Sequence, residues 1–148
     1  MDFNVFKVFK ILLAVEIVLL FIQFWLGVSV NLFVMIPMLK PFDFSTYSGG
    51  SQFMAHITIG ILIIALGALI LSYGIKLENI LISAVSVAAL VFAVIASERG
   101  MVYALGGHYA ILSLEMAISF LAVYTLYFLD FYIVERLNRQ AEAKKRVS

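Results

Sequence analysis

The chain has 148 residues, is 64% hydrophobic and has a mean hydropathy of +1.10; a water-soluble domain of this length could not hide so much apolar surface, so the expected solvent is a lipid bilayer. Ten basic and nine acidic residues leave a net charge of +1, too little to build a basic face for nucleic acid. With no cysteine, disulfides, thiolate nucleophiles, iron–sulfur clusters and Cys-type zinc sites are excluded, and two histidines allow at most one bis-histidine site.

The first apolar run spans roughly Val8 to Ile36. It is too long for the h-region of a signal peptide, about 7–15 residues, and no small-residue cleavage pattern follows it. Pro37 and Pro41 are expected to stop this helix. The connection "PMLKPFDFSTYSGGS" is long for a helix hairpin. Its aromatics Phe42, Phe44 and Tyr47 suit the outer interface or a lid over a site, and Asp43, Ser45 or Ser51 could cap the next helix. The second run spans Phe53 to Tyr73, and a tight turn around Gly74 to Glu78 leads to the third, Asn79 to Ala96. A connection of about ten residues, Ser97 to Gly107, ends in "LGG" before His108. The fourth run, Tyr109 to Leu129, continues into the amphipathic, basic stretch "DFYIVERLNRQAEAKKRVS", which is expected to leave the membrane.

Each run approaches or exceeds the ~20 residues that cross a hydrocarbon core about 30 Å thick. The expected fold is therefore all-α: a single domain, 1–148, forming an antiparallel bundle of four transmembrane helices at about 8–36, 53–74, 78–98 and 108–135, with a basic tail at 136–148. Lys7, Lys10, Lys76, Arg136, Arg139, Lys144, Lys145 and Arg146 lie on one side; the first and third connections carry only Lys40 and Arg99. The positive-inside rule then places both termini in the cytoplasm.

Ionisable groups within a span cost several kcal/mol unless paired or hydrated, so each is a candidate for function. They are Glu16, Gln23 and Asn31 on helix one, His56 on helix two, Glu98 and Arg99 at the end of helix three, and His108 and Glu115 on helix four. The histidines fall at matching depth near the outer boundary, and Glu115 lies about 10 Å deeper than His108 at ~1.5 Å per residue. Glu16 stands apart, near the inner face, and with Gln23 and Asn31 reads as packing glue. At about 100° per residue, His108, Leu112, Glu115, Ser119, Ala122 and Leu126 form one stripe. His56, Gly60, Ile63, Gly67 and Gly74 form another, and Gln23, Gly27 and Asn31 a third. Asn79, Ser86, Ala93 and Ser97 line one side of helix three. Small-residue stripes also pack membrane helices with no ligand at all.

Two imidazoles at one depth suit the axial positions of a haem b, with His56 and His108 as the metal ligands. Gly60 and Gly67 would make room for the porphyrin, Arg99 and Lys40 would pair with propionates, and Phe24, Trp25, Phe92 and Phe120 would supply apolar walls. With four spans and histidines at the outer ends of helices two and four, the chain resembles small b-type membrane cytochromes, among them the compact, half-length relatives of haem A synthase. That family carries Glu-x-x-His-Arg around the helix-two histidine. Here the window is "QFMAHI", with Gln52 one step before the glutamate position and Ile57 in place of the arginine.

The resemblance implies electron transfer, or redox chemistry of a quinol or small oxidant at the outer face, with Glu115 or Glu98 as proton acceptor and a quinone as a further cofactor. Two alternatives stand beside it. One is a non-catalytic subunit of a respiratory or transport complex. Another is a metal site on His56, His108 and Glu115. A transporter fits less well, with only four spans and no repeat. The small-residue faces leave a homo-oligomer open as a partner.

Overall fold

The computed structural model describes residues 3–37, 42–107 and 109–147. It is built from α1 (Phe3–Phe33), α2 (Gly50–Lys76), α3 (Ile80–Val102), a π-helical turn (Tyr103–Gly107) and α4 (Ala110–Val147). Among the described residues there are four α-helices and no strand. Three segments are long and apolar enough to cross a membrane: Gly50–Lys76, Ile80–Gly106 and Ala110–Gln140. The helices run alternately up and down. α1 packs on α2 and α4, α3 packs on α2 and α4, and the diagonal pairs stay apart.

The bundle is apolar outside, and inside it mixes large apolar side chains such as Phe9, Leu20 and Ile70 with small and polar ones. Val18, Trp25, Ile61, Leu121 and Tyr132 are exposed, whereas Gly67, Gly74, Ser86, Ala89, Ala93 and Ser119 are buried. Water would favour the reverse arrangement. In lipid, small residues inside let helices approach, because no hydrophobic drive holds them together.

Helix ends follow local chemistry. α1 starts earlier than the apolar run, at Phe3, and stops at Phe33, before the restriction imposed by Pro37 is felt. Between α2 and α3 the turn is as short as expected. Leu77 N–H donates to the carbonyls of Tyr73 and Gly74, Glu78 takes a left-handed φ of 53°, and Asn79 Oδ1 accepts from Leu81 and Ile82 N–H at 3.1 and 3.2 Å. α2 is capped by Gly49 at φ 83° with no side-chain cap; Asp43 instead accepts from the Ser45 hydroxyl at 2.9 Å. The third connection is mostly helical: α3 runs on to Val102 and through the π turn, and left-handed Gly106 (φ 108°) ends it. α4 continues to Val147, so the basic tail is an extension of that helix.

The first connection folds over one end of the bundle, the end expected to face outward. Phe44 meets Phe53 edge to face at 5.8 Å, and Phe42 stacks on Phe53 at 6.4 Å. Phe44 and Tyr47 pack on the buried group Val30, Phe53 and Ala104. Gly50 makes this closure possible: a Cβ there would lie 2.0 Å from the Phe44 carbonyl oxygen. At the other end, Lys10 Nζ on α1 bonds Glu135 Oε2 on α4 at 2.6 Å.

Gly67 is equally tight, with a Cβ 2.7 Å from the Tyr127 hydroxyl, while at Gly100 the nearest atom is the flexible Met116 Sδ at 3.1 Å. Gly50→Ala and Gly67→Ala are expected to destabilise the bundle by roughly 1–3 kcal/mol and to lower its thermal midpoint in detergent. Gly100→Ala is expected to stay within about 0.5 kcal/mol of the parent.

Candidate functional site

Polar side chains gather at two levels of the bundle. In the half nearer the α1–α2 connection they occupy two separate seams. Between α1 and α2, the ring of His56 lies against Gly27, where a Cβ would be 3.2 Å from His56 Cε1. Gln23 Nε2 lies 3.5 Å from His56 Nε2, in position to donate to that ring nitrogen. Gln23 Oε1 and His56 Nδ1 are buried and have no hydrogen-bond partner among the described residues. Between α3 and α4, Arg99 Nε sits 3.3 Å from Glu98 Oε2 and 3.0 Å from Glu115 Oε2. All three of these side chains are partly exposed, so the cluster carries modest energy and lies at the bundle's edge.

The expected outer site is thus divided. His56 belongs to the α1–α2 seam, and Glu98, Arg99 and Glu115 to the α3–α4 seam. His108 and Lys40 lie outside the described residues, so the pairing of the two imidazoles is not on view. Asn31 is exposed; the inner face of α1 runs from Gln23 and Gly27 to Val30. Ser97 is exposed as well, while Asn79 serves as a cap. Trp25 is 59% exposed, and Phe24 and Phe92 also face outward. Phe120 lies with its ring 6.0 Å from that of Phe24.

The glycine face of α2 tests the fit of a haem. Gln23 Nε2 stands 3.3 Å from a Cβ placed on Gly60, and Tyr127 Oη stands 2.7 Å from one placed on Gly67. A porphyrin on that face would need the volume these side chains fill. Arg99, the intended propionate partner, is held by two carboxylates. The described residues therefore do not fit a haem bedded on Gly60 and Gly67. Among them, no three His, Cys, Asp or Glu side chains group as a metal site.

The second level lies deeper, about 16 Å below His56 along α2 at ~1.5 Å per residue. Here Glu16 on α1, Ser86 on α3, and Tyr127 and Asp130 on α4 are each 0% exposed. Ser86 Oγ donates to Asp130 Oδ2 at 2.7 Å. Glu16 Oε1 lies 3.9 Å from the Cβ position of Gly67, on the same face as the Tyr127 hydroxyl. Both Glu16 oxygens, Tyr127 Oη and Asp130 Oδ1 have no hydrogen-bond partner among the described residues.

Sequence reasoning assigned Glu16 to packing, placed Asp130 where the helix leaves the membrane, and passed over Tyr127. A signal was present. Buried residues on α4 are Leu112, Ser119, Val123, Tyr127, Asp130 and Val134. That is a 3- and 4-residue alternation, which leads from Ser119 through Tyr127 to Asp130 instead of through Ala122 and Leu126. Compared with family models, with curated proteins and with solved structures, the chain matches none.

Ser86→Ala would leave a buried carboxyl oxygen without its donor. The expected loss is about 1–3 kcal/mol, read as a lower midpoint in detergent unfolding. Thr125→Ala, which removes only an exposed hydroxyl bonded to the Leu121 carbonyl, is expected to change little.

Proposed function

We propose that the chain is an integral membrane protein of four spans, with α1 as the fourth and both termini cytoplasmic, and that its outer half takes a quinone or quinol headgroup at Gln23 and His56. The orientation rests on the eight basic residues at the two termini and the α2–α3 turn. The single observation that carries the binding reading is the pair of unpartnered buried atoms, Gln23 Oε1 and His56 Nδ1, on neighbouring helices. With Gln23 donating to His56 Nε2, the ring carries its proton on Nδ1. The site then offers one acceptor and one donor. A hydroxyl of the reduced headgroup finds the amide oxygen, and a carbonyl of the oxidised headgroup finds the imidazole N–H. Leaving such groups unpaired is costly, so a ligand that satisfies them gains affinity.

The headgroup, when bound, supplies a two-electron, two-proton couple. Gln23 orients it, and His56 holds or passes a proton at the ring edge. Phe44 and Tyr47 close the outer end above the seam and limit water. Electrons leave to an acceptor on another protein. The chain is in this reading the quinol-binding member of a membrane redox assembly, which unites the redox and accessory-subunit expectations.

Trp25, the sole tryptophan, stands two residues from Gln23 and reports binding. A short-chain quinone added to the protein in vesicles is expected to quench Trp25 saturably, above a linear background from partitioning. His56→Ala and Gln23→Ala are expected to weaken binding by roughly 3- to 10-fold each, the worth of one hydrogen bond. Quenching that is linear throughout and unchanged in both variants would refute the site.

A second reading, haem b with His56 and His108 as axial ligands, draws on the same free Nδ1. A reduced-minus-oxidised spectrum with sharp bands that vanish in His56→Ala would favour it over quinone binding, and would require Gln23 and Tyr127 to vacate the glycine face. Topology is tested in the cysteine-free chain. Ser45→Cys is expected to react with an impermeant maleimide from outside, and Lys76→Cys only after permeabilisation; the opposite pattern would invert the orientation.

A further inference from the structure

We infer that Glu16, Tyr127, Asp130 and Ser86 form a buried, reversible proton-binding site in the cytoplasmic half of the bundle. This inference does not rest on the quinone reading.

Burial comes first. All four side chains are fully enclosed, and they arrive from three helices onto the face of α2 kept open by Gly67 and Gly74. The Ser86 hydroxyl that serves Asp130 also stands 3.2 Å from the Cβ position of Gly74. Polar groups that merely glue membrane helices are bonded to one another. Here four oxygens, two on Glu16 and one each on Tyr127 and Asp130, have no hydrogen-bond partner among the described residues. They are the kind of groups that mark proton relays within membrane spans.

Charge narrows the ligand. No Lys or Arg among the described residues pairs with Glu16 or Asp130. A carboxyl in an apolar interior with no cation beside it is balanced by a proton. A dehydrated metal cation fits less well. Two carboxyls are too few for a cage of oxygens, and Ser86 already spends its hydroxyl proton on Asp130. Tyr127 lies within electrostatic reach of both Glu16 and Asp130, and its hydroxyl can both donate and accept. With Glu16 neutral and Asp130 ionised, and with a side-chain movement or one bridging water bringing the Tyr127 hydroxyl into hydrogen-bond reach of both, the Glu16 O–H bond breaks as one forms on the Tyr127 oxygen. The phenolic O–H breaks as one forms on Asp130 Oδ1, so Glu16 ends ionised, Asp130 neutral and the phenol as it began.

The surroundings insulate the site without sealing it far from water. Toward the outer half stand buried Leu20, Ile63 and Val123; toward the cytoplasmic end stand Phe9, Leu13 and Val134. On α1 and α4 the next charged groups are Lys10 and Glu135, bonded to each other. They lie about 9 Å and 7–8 Å along the helices from Glu16 and Asp130, at ~1.5 Å per residue. At this level α2 presents Gly67, Ile70 and Gly74 with half-buried Tyr73 beyond, and α3 presents Ser86. α4 adds half-buried Tyr124, stacked on Phe120. A surface groove of about 210 Å³ beside Lys7, Lys10 and Asn138 opens at that end.

The test uses the full chain in quinone-free phosphatidylcholine vesicles, with infrared spectroscopy as pH is cycled. The expected result is a protonated-carboxyl carbonyl band that shifts in D2O, titrates reversibly and is unaffected by sodium at fixed pH. Glu16→Gln and Asp130→Asn should each remove one component, and Tyr127→Phe should slow the D2O shift. Should a variant fail to fold, 13C-carboxyl labelling of Glu alone, then of Asp alone, in the parent chain resolves the same two components. Absence of any such band, a band that never exchanges, components unmoved by variant and label alike, or loss of the band on adding sodium would each overturn the inference. Because no quinone is present, failure here leaves the Gln23–His56 reading standing, and the converse also holds.

Discussion

The approach of Tyr127 to Gly67 sets the shape of the interior. Four helices with large apolar side chains outside can close only where small residues face inward, and at Gly67 the closing partner is a phenol whose hydroxyl must then sit among other polar atoms. Glu16, Asp130 and Ser86 surround it, each wholly buried. A larger side chain at Gly67 would push α4 outward and expose this layer to lipid, where unpaired polar groups are intolerable. Close packing and polar burial are thus one constraint seen from two sides.

The half of the bundle nearer the α1–α2 connection obeys a looser version of the rule. Its polar groups divide between two seams. In the α3–α4 seam the carboxylates of Glu98 and Glu115 have a cation, Arg99, beside them. The α1–α2 seam leaves a donor and an acceptor unanswered beside Gly27, and this asymmetry directs the functional proposal to Gln23 and His56. Capping by Phe44 over Phe53 shields that end and accounts for an unusually long connection.

Much of the architecture was readable from residue order. Apolar runs announced the helices, the break at Gly74 to Glu78 announced the tight turn, and the spacing of Ile63, Gly67 and Gly74 announced the inward face of α2, whereas Asn79, read as part of a helix face, is the cap of α3. The inner polar layer was harder to read. Seven-residue steps from His108 through Glu115 to Ala122 drift by about 20° per heptad on a straight helix, and the drift carried the expected stripe off the buried line that reaches Tyr127. Asp130 was missed because it opens a charged stretch, and composition alone cannot tell a last buried carboxyl from a first solvated one. Asn31 misled for the reverse reason. A four-residue step from Gly27 looked continuous with the core, but the inward line passes through Val30.

The central claim is that Ser119, Tyr127 and Asp130 face the interior of a membrane-embedded bundle whose outer surface is apolar and faces lipid. Spin labels placed singly at residues 118–134 of the chain in vesicles, with accessibility to dissolved oxygen as the readout, test it directly. Minima are expected at Ser119, Val123, Tyr127, Asp130 and Val134, with maxima at Ile118, Leu121, Leu129 and Tyr132. A flat profile, or one with Tyr127 and Asp130 at the maxima, would contradict the account.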